Sequence, residues 1–367
     1  MSPISFVMAC FSLLGALDLI FGNKLGVGKQ FERGIMMLGT LVMSMAGMLV
    51  FAPLIAHLLR PAVNFFASFL PFEPSVIPAM ILANDMGGAP LAMEFASNAQ
   101  VGYYNALIIS AMMGATISFN IPFAMGVVPK EKHKPLLLGL LCGIVTTPVG
   151  CLLSGFIVGL PIRDVLASMI PLLICAAILS VLLFLCPDVC VKAFKIFGHA
   201  IKILIILGLM VGIFEGLTGI EFIPYTAPIE DAMGVCVNAA LVMSGAFPLV
   251  YLLSRLLDKP IKKIGSKVGI NSAAALGFLS TLATNVTTYG NMQDMDEKGT
   301  MLNAAFSVSA GFVFAGHLAF TLAFNADYAV SMIIGKLLSG IAAIALAVLL
   351  YKIMNKPQET EPKLPTE

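Results

Sequence analysis

Apolar residues fill long runs of this chain, and polar residues are concentrated in the connections between them. A helix that crosses the hydrocarbon core of a bilayer needs about 20 mostly apolar residues. Runs of that kind lie roughly at 3–21, 34–58, 74–96, 101–128, 135–160, 164–186, 198–219, 233–257, 270–290, 299–325 and 327–353. The pattern predicts an all-α polytopic membrane protein with ten to eleven apolar segments in the lipid bilayer.

Composition supports this fold class, because 59% of the 367 residues are hydrophobic and only 11% are charged. A soluble domain carries about 25% charged residues. The net charge of +1 gives no basis for nucleic-acid binding. The seven cysteines lie in or beside apolar runs, which is typical of small buried hydrophobes and not of a metal site. No HExxH, GxSxG or Walker motif is present, so neither an enzyme nor a cofactor is predicted.

One apolar run is interrupted by polar residues and helix breakers. Residues 81–94 read ILANDMGGAPLAME and include Asn84, Asp85, Gly87, Gly88, Pro90 and Glu94. A charged side chain in the middle of a membrane helix costs roughly 2.5–3.5 kcal/mol, so it is usually retained for function. Gly-Gly and Pro do not propagate a regular helix well. A broken helix that carries an acid predicts the binding site of a membrane transporter.

A related stretch in the second half, TLATNVTTYGN at 281–291, has no acid. Its candidate binding residues are Thr284, Asn285, Thr287 and Thr288. Asp85 suits an ammonium group or a small cation, whereas hydroxyls and amides suit a neutral polar group or Na⁺. In the alternative interpretation, Asp85 and the hydroxyls only cap the ends of half-helices. Glu94 belongs either to the same cavity or to the membrane interface.

Short matches between the two halves recur at an offset of about 200 residues. They include LVMS at 41–44 and 241–244, LAND at 82–85 against LATN at 282–285, and Asn-Ala at 105 and 303. These matches predict a first transmembrane repeat over 1–160, a joining helix over 161–194 and a second repeat over 195–355. The polar, Pro-rich residues 356–367 are predicted to be disordered.

Four basic loops, around Lys24, Lys132, Lys192 and Lys262, are assigned to the cytoplasm by the positive-inside rule. The acidic connection 221–231 then lies outside. This assignment fails if every apolar segment spans, and it holds if the segments near Asp85 and Asn285 enter and leave at the same face. The halves would then form an inverted repeat with two broken or re-entrant helices. The alternative is eleven plain spans, with one basic loop outside and a parallel repeat or none.

Some interior polar residues have less specific interpretations. Asp18 and Glu215, which lie near segment ends, are predicted to be structural or interfacial. His317 is either a hydrogen-bonded interior histidine or part of a proton path. Lys336 lies inside the last segment and requires an acidic partner or an aqueous cavity.

The stretch ILANDMGGAPLAMEFA, together with TLATNVTTYGNMQDMDEKG at 281–299, resembles the ethanolamine permease family of bacterial ethanolamine-utilisation operons. The resemblance implies a multi-pass protein of the bacterial cytoplasmic membrane that imports ethanolamine. Asp85 could then pair with the substrate ammonium, and Asn84 and the tip of the second broken segment could bind its hydroxyl. The coupling ion, H⁺ or Na⁺, and a homo-oligomeric assembly stay open.

Two alternative functions are also compatible with the sequence. A Na⁺-coupled carrier of small organic anions would use Asn84, Asp85, Thr284, Asn285 and Thr287 to hold Na⁺. A membrane sensor or partner subunit would carry no flux at all.

Overall fold

The computed structural model describes residues 2–69 and 72–355, and the predicted tail at 356–367 lies outside them. Within the described residues the chain is all-α. The α-helices of the first half are α1 Pro3–Ile20, α2 Gly28–Leu41, α3 Gly47–Phe69, α4 Val76–Ile81, α5 Gly88–Phe95, α6 Ala99–Tyr104, α7 Ile121–Val127 and α8 His133–Ile157. Those that follow are α9 Ile162–Leu185, α10 Pro187–Thr218, α11 Ile229–Val268, α12 Ser272–Ala283, α13 Asn285–Gly290, α14 Glu297–Ala310, α15 Gly316–Asn325 and α16 Ala329–Met354.

Some of these helices are joined by π-helical turns into longer continuous helical segments. Val42–Ala46 connects α2 to α3, and the π-helical stretches Asn105–Gly114 and Thr116–Asn120 lie between α6 and α7. Within the two described ranges, eight helices are long and apolar enough to cross a membrane. The prediction of an all-α polytopic membrane protein is therefore confirmed.

Both segments that were predicted to be broken are broken, and each returns to the end of the molecule from which it came. Ser97 at the end of the first segment donates from its amide and hydroxyl to the carboxylate of Glu73 before its start, at 3.0 and 2.5 Å. At the second segment, Asn271 donates to Asp296 and to the carbonyl of Asp294, at 2.5 and 2.8 Å. Each segment is therefore re-entrant.

Three basic loops lie together at one end of the molecule, which we call the basic end. Lys132 donates to the carbonyl of Met295 at 2.6 Å, and Arg255 donates to the carbonyl of Leu25 at 3.1 Å. Lys298 donates to the carbonyl of Val268, the last residue of α11. This grouping agrees with the re-entrant arrangement. The side of the membrane that each end faces, and the inverted repeat, stay predictions.

Apart from α9, which packs on α8, α4 and α10, the helices form two bundles. The first bundle consists of residues 3–69 and 187–268, in which α1 and α2 pack along α11 and α3 packs on α10. The second bundle consists of residues 76–157 and 272–354 and includes both broken segments. In its centre α8 crosses α14 and α16 on small residues. A Cβ added to Gly139 would lie 2.2 Å from the carbonyl oxygen of Met301, and one on Gly150 would lie 2.4 Å from that of Gly335.

A third break, at residues 311–315, divides the predicted segment 299–325 into α14 and α15. Phe312 has a φ of +60°, and its amide donates to the carbonyl of Thr281 at 3.0 Å. The amide of Phe314 donates to the carbonyl of Leu282 at 2.9 Å. This break was not predicted, because a single glycine such as Gly311 in an apolar run is tolerated within a helix. Its backbone groups are satisfied by the end of α12 instead.

Candidate functional site

The break that carries Asp85 is held open by side chains from the helix at 99–127. Leu82 and Ala83 adopt extended backbone conformations. The hydroxyl of Ser110 donates to the carbonyl of Leu82 at 2.5 Å, and the hydroxyl of Ser118 accepts from the amide of Ala83 at 3.1 Å. Backbone groups at membrane depth must be paired within the protein, so these two serines make the break tolerable. Neither serine was predicted, although both are buried hydroxyls in an apolar helix.

Two glycines set the shape of this break. Gly87 has a φ of +102°, a left-handed conformation that side chains disfavour. At Gly88 a Cβ would lie 2.1 Å from the hydroxyl of Ser110 and 2.2 Å from the carbonyl oxygen of Leu82. The predicted residues Gly87 and Gly88 therefore shape the backbone around Asp85, and α5 begins directly at Gly88.

The carboxylate of Asp85 is half-buried and has no hydrogen-bonded or ion-paired side chain among the described residues. One carboxylate oxygen lies 3.9 Å from the point that a Cβ on Gly316 would occupy. Gly316 is the first residue of α15, and the amino end of a helix carries a partial positive charge that stabilises an anion. Asp85 is therefore held beside a helix terminus with its carboxylate available to a ligand.

A cavity of about 440 Å³ lies between the two bundles, with Asp85 in its wall. It extends from residues near the basic end, such as Gln30 and Ser254, to Asp85 and Gly316. The other lining residues are Arg33, Met37, Thr40, Leu41, Ser44, Met243, Phe247, Val250 and Tyr251 of the first bundle and Leu279, Ser280, Ala283, Thr284, Thr287, Phe312 and Ala315 of the second. Pockets of this size that combine apolar walls with a few polar groups are typical binding sites for small molecules.

The structure brings Thr284 and Thr287 to the same cavity as Asp85. Thr284 also caps α13, because its hydroxyl accepts from the amide of Val286 at 3.2 Å. The side chain of Thr287 is exposed in the cavity and has no hydrogen-bond partner among the described residues. The two broken segments therefore contribute an acid and two hydroxyls to one space.

Asn285 and Thr288 lie behind the cavity wall. The amide nitrogen of Asn285 donates to Asn120 at 2.7 Å and to the carbonyl of Ser307 at 3.0 Å. The hydroxyl of Thr288 lies 2.9 Å from that of Thr281 and donates to the carbonyl of Gly277 at 3.2 Å. Both residues are fully buried and support the second broken segment.

Asn84 and Glu94 have contrasting environments. Asn84 is fully buried, and neither its amide oxygen nor its amide nitrogen has a hydrogen-bond partner among the described residues. Such unpaired groups are rare in protein interiors and call for a water molecule or a ligand. Glu94 lies away from the cavity, where its carboxylate is 3.8 Å from the guanidinium of Arg60 and the two side chains are 36% and 52% exposed.

Asp18 and Glu215 have structural partners, as predicted. The carboxylate of Asp18 accepts from the amides of Leu25 and Gly28, at 2.8 and 2.9 Å, and so closes the turn between α1 and α2. The carboxylate of Glu215 accepts from the amides of Phe222 and Ile223, at 2.8 and 3.0 Å, which orders the connection after α10.

Lys336 is fully buried in the second bundle. Its ammonium group lies 2.5 Å from the carbonyl oxygen of Ala111 and 3.0 Å from Nδ1 of His317. No carboxylate of the described residues lies within ion-pairing distance of it. Asp85 approaches the same start of α15, because its carboxylate lies beside Gly316 and Lys336 contacts the adjacent His317. The sequence analysis expected an acidic partner or an aqueous cavity for Lys336, and the direct partners among the described residues are a carbonyl and a histidine instead.

Comparison with known proteins identifies relatives that match almost the full length of the chain. Residues 2–350 match the family model described as ethanolamine utilisation protein, EutH. The chain is 39% identical to the probable ethanolamine permease EutH of Listeria monocytogenes, over 98% of this chain and 96% of that protein. It is 36% identical to the protein of the same name in Salmonella typhimurium, over 95% and 94%.

A further relative is the uncharacterized protein YxeR of Bacillus subtilis, which is 33% identical over 97% of this chain and 96% of that protein. No solved structure matches the chain. Because the family model and these relatives cover almost its full length, the chain belongs to the EutH family of ethanolamine utilisation proteins.

Proposed function

We propose that this chain carries ethanolamine, in its ammonium form, across the bacterial inner membrane and catalyses no chemical reaction. The observation that supports this most strongly is the unpaired carboxylate of Asp85 in the wall of a cavity between two bundles. A partly buried carboxylate without a partner is unfavourable, and an ammonium group that binds to it offsets part of that cost. The relatives named as probable ethanolamine permeases support the choice of substrate.

Each end of ethanolamine has a partner in the cavity. Its ammonium group donates three hydrogen bonds, and Asp85 accepts one or two of them with charge assistance. Thr284 and Thr287 line the same cavity and offer hydroxyl groups to the hydroxyl of ethanolamine. The unpaired amide of Asn84, one residue before Asp85, is available to a substrate group or to a water molecule beside it.

The position of the cavity supports transport by alternating access. Asp85, Thr284 and Thr287 belong to the second bundle, whereas the opposite wall belongs to the first. A relative movement of the bundles would close the cavity at the basic end and open the site at the other. Discontinuous helices that meet at membrane depth are a common plan for such carriers.

A charged amine needs this path more than a neutral one. The neutral form crosses a bilayer unaided, whereas the ammonium form pays the cost of a charge in hydrocarbon. The carrier should therefore contribute most at acidic pH, at which almost all ethanolamine is protonated. At alkaline pH the carrier's share of total uptake should shrink, because the passive flux rises.

The test is uptake of labelled ethanolamine into liposomes that contain the purified full chain, measured at acidic pH with empty liposomes as the control. Saturable uptake above the control is expected, and unlabelled ethanolamine should compete with it. Uptake no faster than in empty liposomes would contradict the proposal and favour a sensor or partner subunit.

Arg33 is the observation that favours the second candidate, a Na⁺-coupled carrier of small organic anions. Its guanidinium lies in the cavity wall, 5.1 Å from the centre of the Phe247 ring, where a carboxylate could reach it. In the same liposomes, a Na⁺ gradient would then drive uptake of a small carboxylate, and ethanolamine would not compete. Ethanolamine uptake that is indifferent to Na⁺ would exclude this candidate.

A further inference from the structure

Lys336 and Asp85 form an incomplete charge pair inside the second bundle. Lys336 is fully buried on α16, and its two direct partners are a backbone carbonyl and a histidine. Asp85 lies on the first broken segment without a direct partner among the described residues. The two groups interact electrostatically across the start of α15, where Gly316 approaches Asp85 and His317 contacts Lys336.

Among the described residues, Asp85 is the one carboxylate that acts on Lys336. The elements packed against α16 are α8, α14, α15, the π-helical stretch Asn105–Gly114 and the turn Ala326–Tyr328. Cys151 on α8 and His317 on α15 are the titratable groups that face Lys336 from these elements. Lys298 of α14 lies over the ring of Tyr351 near the opposite end of α16. Asp327 lies in the turn that precedes α16.

We propose that Lys336 is the resident counter-cation of Asp85, and that the arriving substrate ammonium takes over this role and displaces one proton from the Lys336–His317 pair. The inference rests on the proposed function for the identity of the substrate. One carboxylate cannot balance two cations in a site largely removed from water. The ammonium of the substrate therefore enters, the Nζ–H bond of Lys336 breaks, its electron pair stays on Nζ, and the proton leaves to water.

The hydrogen bond to His317 makes this exchange feasible. An ammonium at Lys336 donates to Nδ1 of His317, so Nδ1 is the acceptor nitrogen while the lysine is charged. Groups that share one hydrogen bond and one carboxylate titrate as a unit. The exchange of a substrate cation for a proton moves no net charge, and a cycle built on it would equilibrate the amine without being driven by the membrane potential.

The first test needs no substrate. Unfolding temperatures of the purified full chain are compared for Asp85→Asn, Lys336→Gln and the double variant, with Lys352→Gln as the control on the exposed end of the same helix. Each single variant should unfold several degrees below the wild type, and the double variant should regain a large part of the loss. If Lys336→Gln alone fails to fold, rescue by Asp85→Asn is the expected result. Additive losses, or a double variant that also fails to fold, would overturn the pairing.

The second test measures the protons released when ethanolamine binds, by calorimetry in two buffers of different ionisation enthalpy. Wild type and Lys352→Gln should release protons on binding, whereas Lys336→Gln should bind several-fold more tightly and release none. Equal proton release in all three proteins would overturn the proposal. A wild-type protein that neither binds nor transports ethanolamine would refute the proposed function, and the unfolding test would still decide the pairing.

Discussion

The two broken segments meet at one cavity but are held in different ways. In the first, Asp85 has no direct side-chain partner and Asn84 has an amide with both ends unpaired. In the second, Asn285 and Thr288 are fixed by hydrogen bonds to Asn120, Ser307 and Thr281, and Thr284 caps its own half-helix.

This difference separates binding from support. A buried polar group without a partner has an unfavourable desolvation free energy, which a ligand can offset by bonding to it. A group that is already hydrogen-bonded gains little from a ligand. The first segment therefore has the properties of a binding element. The second has mainly those of a supporting wall, although the hydroxyl of Thr287 in the cavity and the buried amide oxygen of Asn285 have no hydrogen-bond partner among the described residues. Substitutions of the unpaired groups that face the cavity should change affinity, and substitutions of the hydrogen-bonded groups behind it should change stability. Asp85→Asn should change both, because Asp85 also balances the charge of Lys336 in the pairing proposed above.

The largest effect is expected at Gly88. A Cβ at this position would collide with the hydroxyl of Ser110 and the carbonyl of Leu82, so Gly88→Ala should displace the break and abolish saturable uptake. Gly126→Ala is the matched control, because a Cβ there would meet nothing within 4 Å. Normal uptake by Gly88→Ala, at matched expression, would show that the geometry of the break is not needed for transport.

Asp85→Asn should come next, because it keeps the size of the side chain and removes its charge. A hydrogen bond to a charged group contributes roughly 1.5–3 kcal/mol, so apparent affinity for ethanolamine should fall about tenfold to a hundredfold. Asp188→Asn, at an exposed helix start, is the control. If Asp85 only caps a half-helix, Asn would replace it fully, and concentration-dependent uptake at acidic pH would be unchanged.

Asn285→Ala tests the supporting role of the second segment. It would leave the amide oxygen of Asn120 without its donor and would remove one of the donors to the carbonyl of Ser307, at a cost of about 1–3 kcal/mol in the free energy of unfolding. Thermal unfolding of the purified protein should report this loss, while the affinity of the folded fraction stays close to wild type. An affinity loss as large as that of Asp85→Asn, with unchanged unfolding, would assign Asn285 to the substrate.

Adjacent threonines sharpen the comparison within one segment. Thr287→Val removes a hydroxyl that is exposed in the cavity, which should weaken apparent affinity about two- to tenfold at unchanged stability. Thr288→Val removes a buried hydroxyl that is bonded to Thr281 and Gly277, so it should lower the unfolding temperature and leave affinity unchanged. The reverse result would place Thr288, and not Thr287, on the substrate.

The smallest effect is expected for Glu94→Gln. Its partner is Arg60 at 3.8 Å, in an exposed ion pair outside the cavity, and pairs of this kind contribute about 0–1 kcal/mol. Both uptake and unfolding should stay close to wild type. A strong loss of ethanolamine affinity would bring Glu94 into the transport path in another conformation.

Much of the fold can be predicted from the sequence, because a segment that crosses the hydrocarbon core must be long, apolar and helical. The apolar runs and the two interruptions near Asp85 and Thr284 follow from it. The need for these segments to be re-entrant follows from the positions of the basic loops. The break at 311–315 does not follow, because it depends on contacts of Phe312 and Phe314 with the end of α12, which are distant in sequence.

The sequence predicts the candidate site only in part. Asp85, Thr284 and Thr287 stand out as polar residues beside helix breaks, and they line one cavity. The same signal also selects Asn285 and Thr288, because a residue that supports a break and one that binds a ligand have the same chemistry. Only the direction of each side chain separates them. Ser110 and Ser118 went unnoticed because single serines are common in membrane helices.

The open backbone at Leu82 and Ala83 sets an order of events during biosynthesis. Its partners, Ser110 and Ser118, lie 28 and 35 residues further along the chain. A ribosome therefore delivers the first broken segment to the membrane before the helix that satisfies it exists. Until that helix arrives, the unpaired carbonyl and amide cannot face lipid without a large cost. The segment must therefore stay in the insertion machinery or at the membrane–water interface until the helix at 99–127 is made, and the two must then enter the membrane together.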